Sequence, residues 1–457
     1  MRFEILSFLF FFLLKNHVAS KRYTNYTLFR SVPLNSIQLD FLRTMGKAYR
    51  VNYWREPGVI NKTVEFTVAP EDKEVLLKAA EQNNVDVTTI MEDVQQAFDK
   101  QTVATYIRRR LSTFDWQNYY RLRDIYVWLK DLAAAHPEEV VIQSIGKTFE
   151  GRHILACKVN LKGTRKRSTV IVEGGIHARE WVGAAFVTFF IHQIVNSPSS
   201  KNLALKMIGS TYEFVFIPVT NPDGYEYTHT TDRLWRKNRV NRHGVDINRN
   251  FGIAFGTVGV SFDKDDEIYC GHSAFSEKES QAMAKIINSY SSTLEYYLAF
   301  HSYGQYMILP YAHSQKHQEN FDEVARICQT ANNKIKHRYG TIYTVGTAYD
   351  TVGYSTSGVS GCWTKASFRT PYVITFELRD SGRHGFALPP SQIMPTCLET
   401  MDGVVSILNP KGKKLSKIQS SYGESVVTGT ASAFIVNNTS IRMFNGIVII
   451  TLLKMHF

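Results

Sequence analysis

The stretch Ser168-Thr-Val-Ile-Val-Glu-Gly-Gly-Ile-His177-Ala-Arg-Glu180-Trp181 decides the fold of this chain of 457 residues. Its first six residues are largely apolar and β-branched, which is typical of a buried strand. From Trp181 to Val195 the sequence is apolar, which predicts a buried helix. A buried strand followed by such a helix indicates an α/β domain, and the connection between them is where open α/β sheets place their ligands.

His177 and Glu180 in this connection are candidate metal ligands. Their short spacing lets both side chains converge from one turn of backbone, and His301 follows about 120 residues later in Phe300-His-Ser-Tyr303. Two histidines and one carboxylate are a ligand set for zinc, and three protein ligands leave a fourth position open, as in catalytic sites. A His-x-x-Glu pattern alone is weak, because such pairs also arise on exposed helices.

Other segments continue the alternation of strands and helices. We predict strands over residues 212–219, up to Phe300 and over 372–377, and Ser276-x-x-Glu279 predicts a capping box that opens a helix. His177, His301 and Glu377 all fall at or just after strand ends, which favours one shared site. The sequence therefore predicts an α/β domain with a largely parallel sheet over residues 111–410.

Residues 21–110 carry a pattern of their own. Alternating β-branched residues predict strands over 49–54 and 63–68, a helix runs from Glu71 to Asn83, and a third strand lies near 85–90. These elements predict a small α/β sandwich. The linker after it contains Arg108-Arg-Arg110, which is typical of a site for a trypsin-like or furin-type protease, a charged helix end being the alternative.

Both ends of the chain resemble targeting segments. Residues 1–20 predict a secretory signal peptide, because Arg2 precedes an apolar run that is too short for a transmembrane anchor. Residues 411–457 are basic and finish in the apolar run from Met443 to Leu453, the layout of a GPI-attachment signal, with a disordered or partly packed tail as the alternative. We therefore expect a secreted protein, attached to a membrane only through such an anchor.

Composition narrows the function classes. The net charge of +12 comes without any recognisable nucleic-acid module, so we expect a solvated basic surface and no nucleic-acid partner. Five cysteines without a Cys-x-x-Cys pair argue against a disulfide scaffold and against a cysteine-based zinc site. The sequons at Asn25 and Asn61 are candidate glycan acceptors.

Four further residues supply chemistry. Glu377 ends an apolar strand, where a carboxylate is costly unless it acts as a general base or forms an ion pair, with Arg379 for example. Arg236 beside a metal can stabilise an oxyanion. Asn248 and Arg249 can hold a carboxylate by charge-assisted hydrogen bonds. A site that grips a free α-carboxylate one residue from the metal would cut only the last peptide bond.

The chain resembles secreted zinc carboxypeptidases of the A/B group across nearly all of residues 21–408. The matching motifs are His-Ala-Arg-Glu-Trp, Leu-Trp-Arg-Lys-Asn-Arg, Gly-Val-Asp-x-Asn-Arg-Asn, Phe-His-Ser-Tyr and Thr-Phe-Glu-Leu-Arg-Asp. The resemblance implies a twisted mixed sheet flanked by helices, and a pro-domain over residues 21–110 that covers the cleft until a trypsin-like protease cuts near Arg110. It implies a monomer that acts on the C-termini of peptides and proteins.

The resemblance also implies a role for each site residue. One zinc ion binds His177, Glu180 and His301, Glu377 is the general base and proton shuttle, and Arg236 contacts the oxyanion. Asn248, Arg249 and Tyr354 bind the terminal carboxylate. The outer subsite positions are Arg179, Ser302, Tyr303 and Phe386.

Two departures from the family pattern concern specificity and loop structure. Gly361 stands where the A type has an apolar residue, the B type an acid and the O type an arginine, so neutral or bulky apolar C-terminal side chains are favoured. Cys362 beside it is unusual, and the tail looks more like the B and O types, so B-like or O-like specificity is the alternative.

In the loop from Phe251 to Cys270, related enzymes place paired cysteines, whereas this chain has only Cys270 and carries Arg242 at another such position. We predict either a less rigid loop or a buried thiol.

Two hypotheses of other classes remain. A catalytically silent binding relative would have lost a metal ligand or the base, and this sequence keeps them all. A surface interaction protein that acts through its basic tail or lipid anchor is compatible with catalysis.

Overall fold

The computed structural model describes residues 20–101, 114–161 and 168–409. Residues 1–19 of the predicted signal peptide, the three arginines at 108–110 and the basic tail lie outside the described residues. Within them, no helix is long and apolar enough to cross a membrane. We call residues 20–101 the N-terminal region and residues 114–409 the main region.

The N-terminal region is a small α/β sandwich, as predicted. Its elements are β1 (Thr27–Ser31), α1 (Ser36–Ala48), β2 (Asn52–Arg55), β3 (Val64–Val68), α2 (Pro70–Gln82), β4 (Thr88–Met91) and α3 (Val94–Gln101). The strand order is β2-β3-β1-β4. The sequence analysis missed β1, α1 and α3. Helix α1 begins where the Asn35 side chain accepts a hydrogen bond from the Gln38 N–H.

The main region contains an eight-stranded mixed sheet with helices on both faces. Its strands are β5 (Val140–Lys147), β6 (His153–Val159), β7 (Ser168–Gly174), β8 (Tyr212–Ile217), β9 (Leu294–Ser302), β10 (Tyr306–Ile308), β11 (Thr344–Gly346) and β12 (Tyr372–Leu378). Its helices are α4 (Leu122–Ala135), α5 (Trp181–Val195), α6 (Leu203–Thr211), α7 (Pro222–Thr230), α8 (Lys278–Ser289), α9 (Phe321–Tyr339), α10 (Ala348–Thr351), α11 (Ser360–Phe368) and α12 (Ile393–Leu408).

The strand order of this sheet is β11-β10-β12-β9-β7-β8-β6-β5. The central strands β8, β7, β9 and β12 are parallel, whereas β10 pairs antiparallel with β12, and β6 pairs antiparallel with both β8 and β5. The parallel centre follows from strands buried on both faces, whose sequences are continuous apolar runs. The predicted mixed sheet flanked by helices is confirmed.

Helix α5 packs closely on the sheet and thereby positions the site. Most of its residues are buried, which agrees with a sequence that is apolar on all sides. A Cβ atom on Gly183 would lie 2.4 Å from the carbonyl oxygen of Phe300, so glycine is needed for helix and strand to approach this closely. The approach places the start of α5, with Glu180, beside His301 on β9.

Two local predictions have different outcomes. The capping box at Ser276 is wrong, because α8 begins at Lys278 and the Ser276 hydroxyl donates to Glu277 and accepts from the Asn250 amide instead. The prediction of a buried thiol holds for Cys270, and all five cysteines, each within the described residues, are buried and free.

Candidate active site

The three predicted metal ligands come together in the main region. The ligand atoms of His177, Glu180 and His301 all lie within 4.8 Å of one another, and the three residues are buried. The Nδ1 atoms of the two histidines are 3.1 Å apart, and Nδ1 of His177 is 2.8 Å from Oε1 of Glu180. Two imidazole nitrogens and one carboxylate converging on one point fit a catalytic zinc ion.

Backbone structure places each ligand. His177 follows the end of β7, Glu180 directly precedes α5, and His301 lies on β9 next to Glu377 of β12 in the parallel register. The Ser302 N–H donates to Oε2 of Glu180 at 3.2 Å, which orients that carboxylate. Three connections far apart in sequence therefore meet at one edge of the sheet.

Asp246 is a site residue that the sequence analysis did not single out. It is fully buried, lies 3.3 Å from Nε2 of His177 and accepts hydrogen bonds from Arg236 at 2.8 and 2.9 Å. Burial alone would raise the pKa of Asp246, but Arg236, Arg249 and His177 outweigh it and hold that pKa well below its usual range. A carboxylate behind a metal-binding histidine fixes the ring and raises its basicity. The sequence could have indicated Asp246, because it lies in the same Asp-x-Asn-Arg motif as Asn248 and Arg249.

Glu377 faces the metal ligands, and Arg379 does not form the ion pair with it that the sequence left as an alternative. Arg379 instead donates to Glu399 at 2.6 Å, to Gln392 and to Thr341. Burial raises the pKa of Glu377 above its usual range, although the nearby His301 opposes the rise. A carboxylate with a raised pKa beside a metal site suits a group that takes up and returns a proton.

Every predicted site residue lines one cavity. They are His177, Arg179, Glu180, Arg236, Asn248, Arg249, His301, Ser302, Tyr303, Tyr354, Gly361, Glu377 and Phe386. Asn248 and Arg249 belong to a short 3-10 turn at Ile247–Arg249, and the Ser360 N–H donates to Oδ1 of Asn248 at 2.9 Å.

One end of the cavity is lined by uncharged residues. They are Ile308, Ala312, Val359, Gly361, Cys362, Val373 and Thr375. A Cβ atom on Gly361 would lie 3.1 Å from Cγ1 of Val373, closer than ordinary van der Waals contact, so the start of α11 packs tightly against β12 at this point. The Cys362 sulfur accepts a hydrogen bond from the Ala312 N–H at 3.1 Å, and burial raises the pKa of this thiol to about 12, so it stays neutral.

The N-terminal region lies across the outer part of the cavity. Trp54 packs against Phe386 and Tyr303 with ring centroids 5.2 and 6.5 Å apart, and Arg179 donates to the Tyr53 carbonyl at 3.3 Å. Glu65, which is fully buried, accepts a hydrogen bond from the Tyr303 hydroxyl. The N-terminal region therefore covers three of the predicted outer subsite positions, Arg179, Tyr303 and Phe386.

Glu56 of the N-terminal region also lines this cavity. Burial raises the pKa of Glu56 to about 7. The charged groups that face it are Asp266 and Glu267, which add to the rise, and Arg179 and Arg236, which oppose it. Glu56 therefore titrates near neutral pH while the N-terminal region is in place.

The fold and the site together define a metal-dependent hydrolase. Residues 125–403 match the family described as "Zinc carboxypeptidase", and residues 29–101 match the "Carboxypeptidase activation peptide". The chain belongs to the zinc carboxypeptidase family: it is a metallocarboxypeptidase that uses zinc, preceded by an activation peptide.

Named relatives and a solved structure agree with this assignment. The chain is 33% identical over 394 residues to "Zinc carboxypeptidase A 1" of Anopheles gambiae, covering 85% of this chain and 90% of that one. It is 36% identical over 304 residues to human "Carboxypeptidase O", covering 65% and 80% respectively. It resembles the structure of thrombin activatable fibrinolysis inhibitor with a TM-score of 0.79 and 29% identity, covering 84% of this chain and 98% of that one.

Proposed function

We propose that this chain is a secreted zymogen whose main region removes single C-terminal residues from peptides and proteins, with a preference for neutral or apolar residues. The observation that carries the proposal is the shared cavity. The metal ligands, Glu377 and Arg236 line it together with Asn248, Arg249 and Tyr354, the candidate carboxylate binders. Such an arrangement limits cleavage to the bond next to a free C-terminus.

Each group of residues in the cavity has a separate role in the proposed reaction. Zinc held by the two histidines and Glu180 would supply a Lewis acid that polarises the scissile carbonyl and lowers the pKa of water. Glu377 takes the proton of the attacking water and returns it to the leaving amine. Arg236, held by Asp246, donates to the oxygen that becomes negative in the transition state. Asn248, Arg249 and Tyr354 hold the carboxylate and so orient the last peptide bond.

Specificity follows from the uncharged end of the cavity. A charged C-terminal side chain would enter this space without an opposite charge at position 361, and burial of an unpaired charge is costly. A neutral or apolar side chain avoids this cost and can contact the uncharged residues that line this end of the cavity. B-like or O-like specificity would need a charge that the residues at this end do not supply.

The N-terminal region acts as an intramolecular inhibitor. It covers Tyr303, Phe386 and Arg179 with Trp54 and its neighbours, and Glu65 connects it to Tyr303 by a hydrogen bond. A trypsin-like protease that cuts at Arg108–Arg110 would separate residues 21–110 from residues 111–410 and open the cavity. In this proposal residues 1–20 are removed on secretion, and residues 411–457 either stay as a basic tail or are the signal for GPI attachment.

The proposal is tested with the secreted protein after limited treatment with trypsin. We expect residue-by-residue release from the C-termini of a peptide library, fastest for neutral and apolar ends. Glu377→Gln is the matched control, because it keeps the shape of the side chain and should bind zinc while turnover is lost. Preferred release of basic or acidic residues would contradict the specificity, and activity in Glu377→Gln would remove the assigned base.

A further inference from the structure

Glu173 is a buried carboxylate that the proposed reaction does not use. It lies on β7 and is inaccessible to solvent. Its Oε2 accepts hydrogen bonds from the Tyr297 hydroxyl and, at 3.0 Å, from the Ser360 hydroxyl. Its Oε1 has no hydrogen-bond partner among the residues that the structure describes. Because burying a carboxylate is costly, its presence beneath the cavity calls for a role.

Ser360 links this carboxylate to the site. It is the first residue of α11, and the preceding residue, Val359, caps the helix without a side-chain hydrogen bond. The Ser360 hydroxyl binds Glu173 on one side, while its backbone N–H donates to Oδ1 of Asn248 at 2.9 Å on the other. The bond from Glu173 therefore anchors the helix start that touches Asn248 and carries Gly361.

The contact with Ser360 decides which way the Asn248 amide faces. A backbone N–H can only donate, so the atom of Asn248 that it meets must be the oxygen. The NH₂ group on the other side of the same amide is then left to donate within the cavity that Asn248 lines. A carboxylate can accept such a hydrogen bond, whereas the reversed amide would present it with an oxygen.

We propose that Glu173 is a positioning residue that acts through Ser360: it fixes the start of α11, holds the Asn248 amide in the donating orientation, and so sets the affinity for the C-terminal carboxylate. The inference rests on the proposed function, in which Asn248 binds that carboxylate. Glu173 itself does not touch the substrate.

The first measurement compares steady-state kinetics of the trypsin-treated protein and of Ser360→Ala on an N-blocked dipeptide. The variant removes the hydroxyl and keeps the backbone N–H. We expect KM to rise about fivefold to thirtyfold, the range for loss of a good hydrogen bond. We expect kcat to stay within about twofold, because the carboxylate is held equally in the ground state and the transition state. Glu173→Leu, which removes the acceptor of the Ser360 hydroxyl, provides a second variant with the same expected split, should Ser360→Ala fold poorly.

The decisive measurement compares the effect of Ser360→Ala on KM in the wild-type protein with its effect in the Asn248→Ala variant. If Ser360 acts through Asn248, then Ser360→Ala adds nothing to KM once Asn248 is already alanine. Tyr297→Phe is the matched control, because it removes the other hydrogen bond to the same oxygen of Glu173 and should leave KM unchanged.

Four results would contradict one or the other proposal. An unchanged KM in Ser360→Ala, or an equal rise of KM in both backgrounds, overturns the positioning role while the wild-type enzyme remains active. A rise of KM in Tyr297→Phe as large as in Ser360→Ala also overturns it, since Glu173 would then support the fold in general. Absence of any C-terminal release by the wild-type protein would instead overturn the proposed function.

Discussion

Substituting Glu65 by glutamine should make the uncut chain active. The carboxylate of Glu65 is fully buried on β3, where Oε1 accepts from Arg30 at 2.6 and 2.9 Å and Oε2 lies 3.1 Å from Nε of Arg55. The hydroxyl of Tyr303, a residue of the main region, donates to the same carboxylate. Gly382 allows this approach, because a Cβ atom there would lie 2.2 Å from Oε1 of Glu65.

The size of the expected rise in activity depends on which partners of Glu65 belong to the main region. Arg30 and Arg55 belong to the N-terminal region, so losing their ion pairs destabilises that region first, although the Arg55 guanidinium also lies 4.9 Å from the centre of the Tyr303 ring. The bond from Tyr303 does cross the interface, and a hydrogen bond to a charged group is worth about 1.5–3 kcal/mol. Because a glutamine still accepts a hydrogen bond, we expect a loss near the lower value, which is about a tenfold rise in the open fraction.

The assay is hydrolysis of an N-blocked dipeptide by the uncut protein, followed by the same measurement after trypsin. Cleavage at 108–110 removes position 65, so the cut forms of Glu65→Gln and wild type have the same sequence and must have equal activity. Glu71→Gln is the matched control, because Glu71 pairs with Arg50 at 3.2 Å on the surface and its side chain is 57% exposed. If uncut Glu65→Gln is no more active than uncut wild type, while both cut forms are equally active, Glu65 does not hold the cleft closed.

The remaining predictions concern the metal and the pH dependence of inhibition. His301→Ala should lose zinc, because only two of the three ligands remain, and full zinc content by mass spectrometry would remove His301 from the ligand set. Asp246→Asn should weaken zinc binding about 10- to 100-fold in competition with a chelator, since the carboxylate behind His177 is lost; unchanged affinity would show that Asp246 does not support that ligand. After cleavage, the N-terminal region should bind the main region less tightly as the pH rises from about 5 to about 7, levelling off above. The reason is that Glu56, with its pKa raised to about 7 in the complex, holds a proton there that it loses on release. Glu56→Gln should flatten this dependence, and an equal slope in that variant would assign the effect to another group.

Local patterns in the sequence were enough for the elements that present the metal ligands. The apolar run before His177 and the apolar helix after Glu180 predicted β7 and α5, and α5 has the predicted bounds. The reason is physical: a segment buried on all sides must be apolar throughout, whatever its neighbours are. The capping box at Ser276 was predicted wrongly because its outcome depends on residues outside the segment. Its hydroxyl could cap a helix locally, but Asn250 and Glu277 compete for it, and a single segment cannot report that competition.

By itself, the sequence determined the α/β class, the residues able to bind zinc and the order of the two folded regions, because these depend on residue type and short spacing. Only the tertiary structure decided which residues support those ligands. Asp246 behind His177, Glu173 beneath Ser360 and Glu65 against Tyr303 are contacts between segments distant in the chain, and any of these carboxylates could have been a surface charge. Their burial gives them a structural role, because a carboxylate removed from water is costly unless it accepts hydrogen bonds. The packing of the sheet and its helices decides which donors lie close enough.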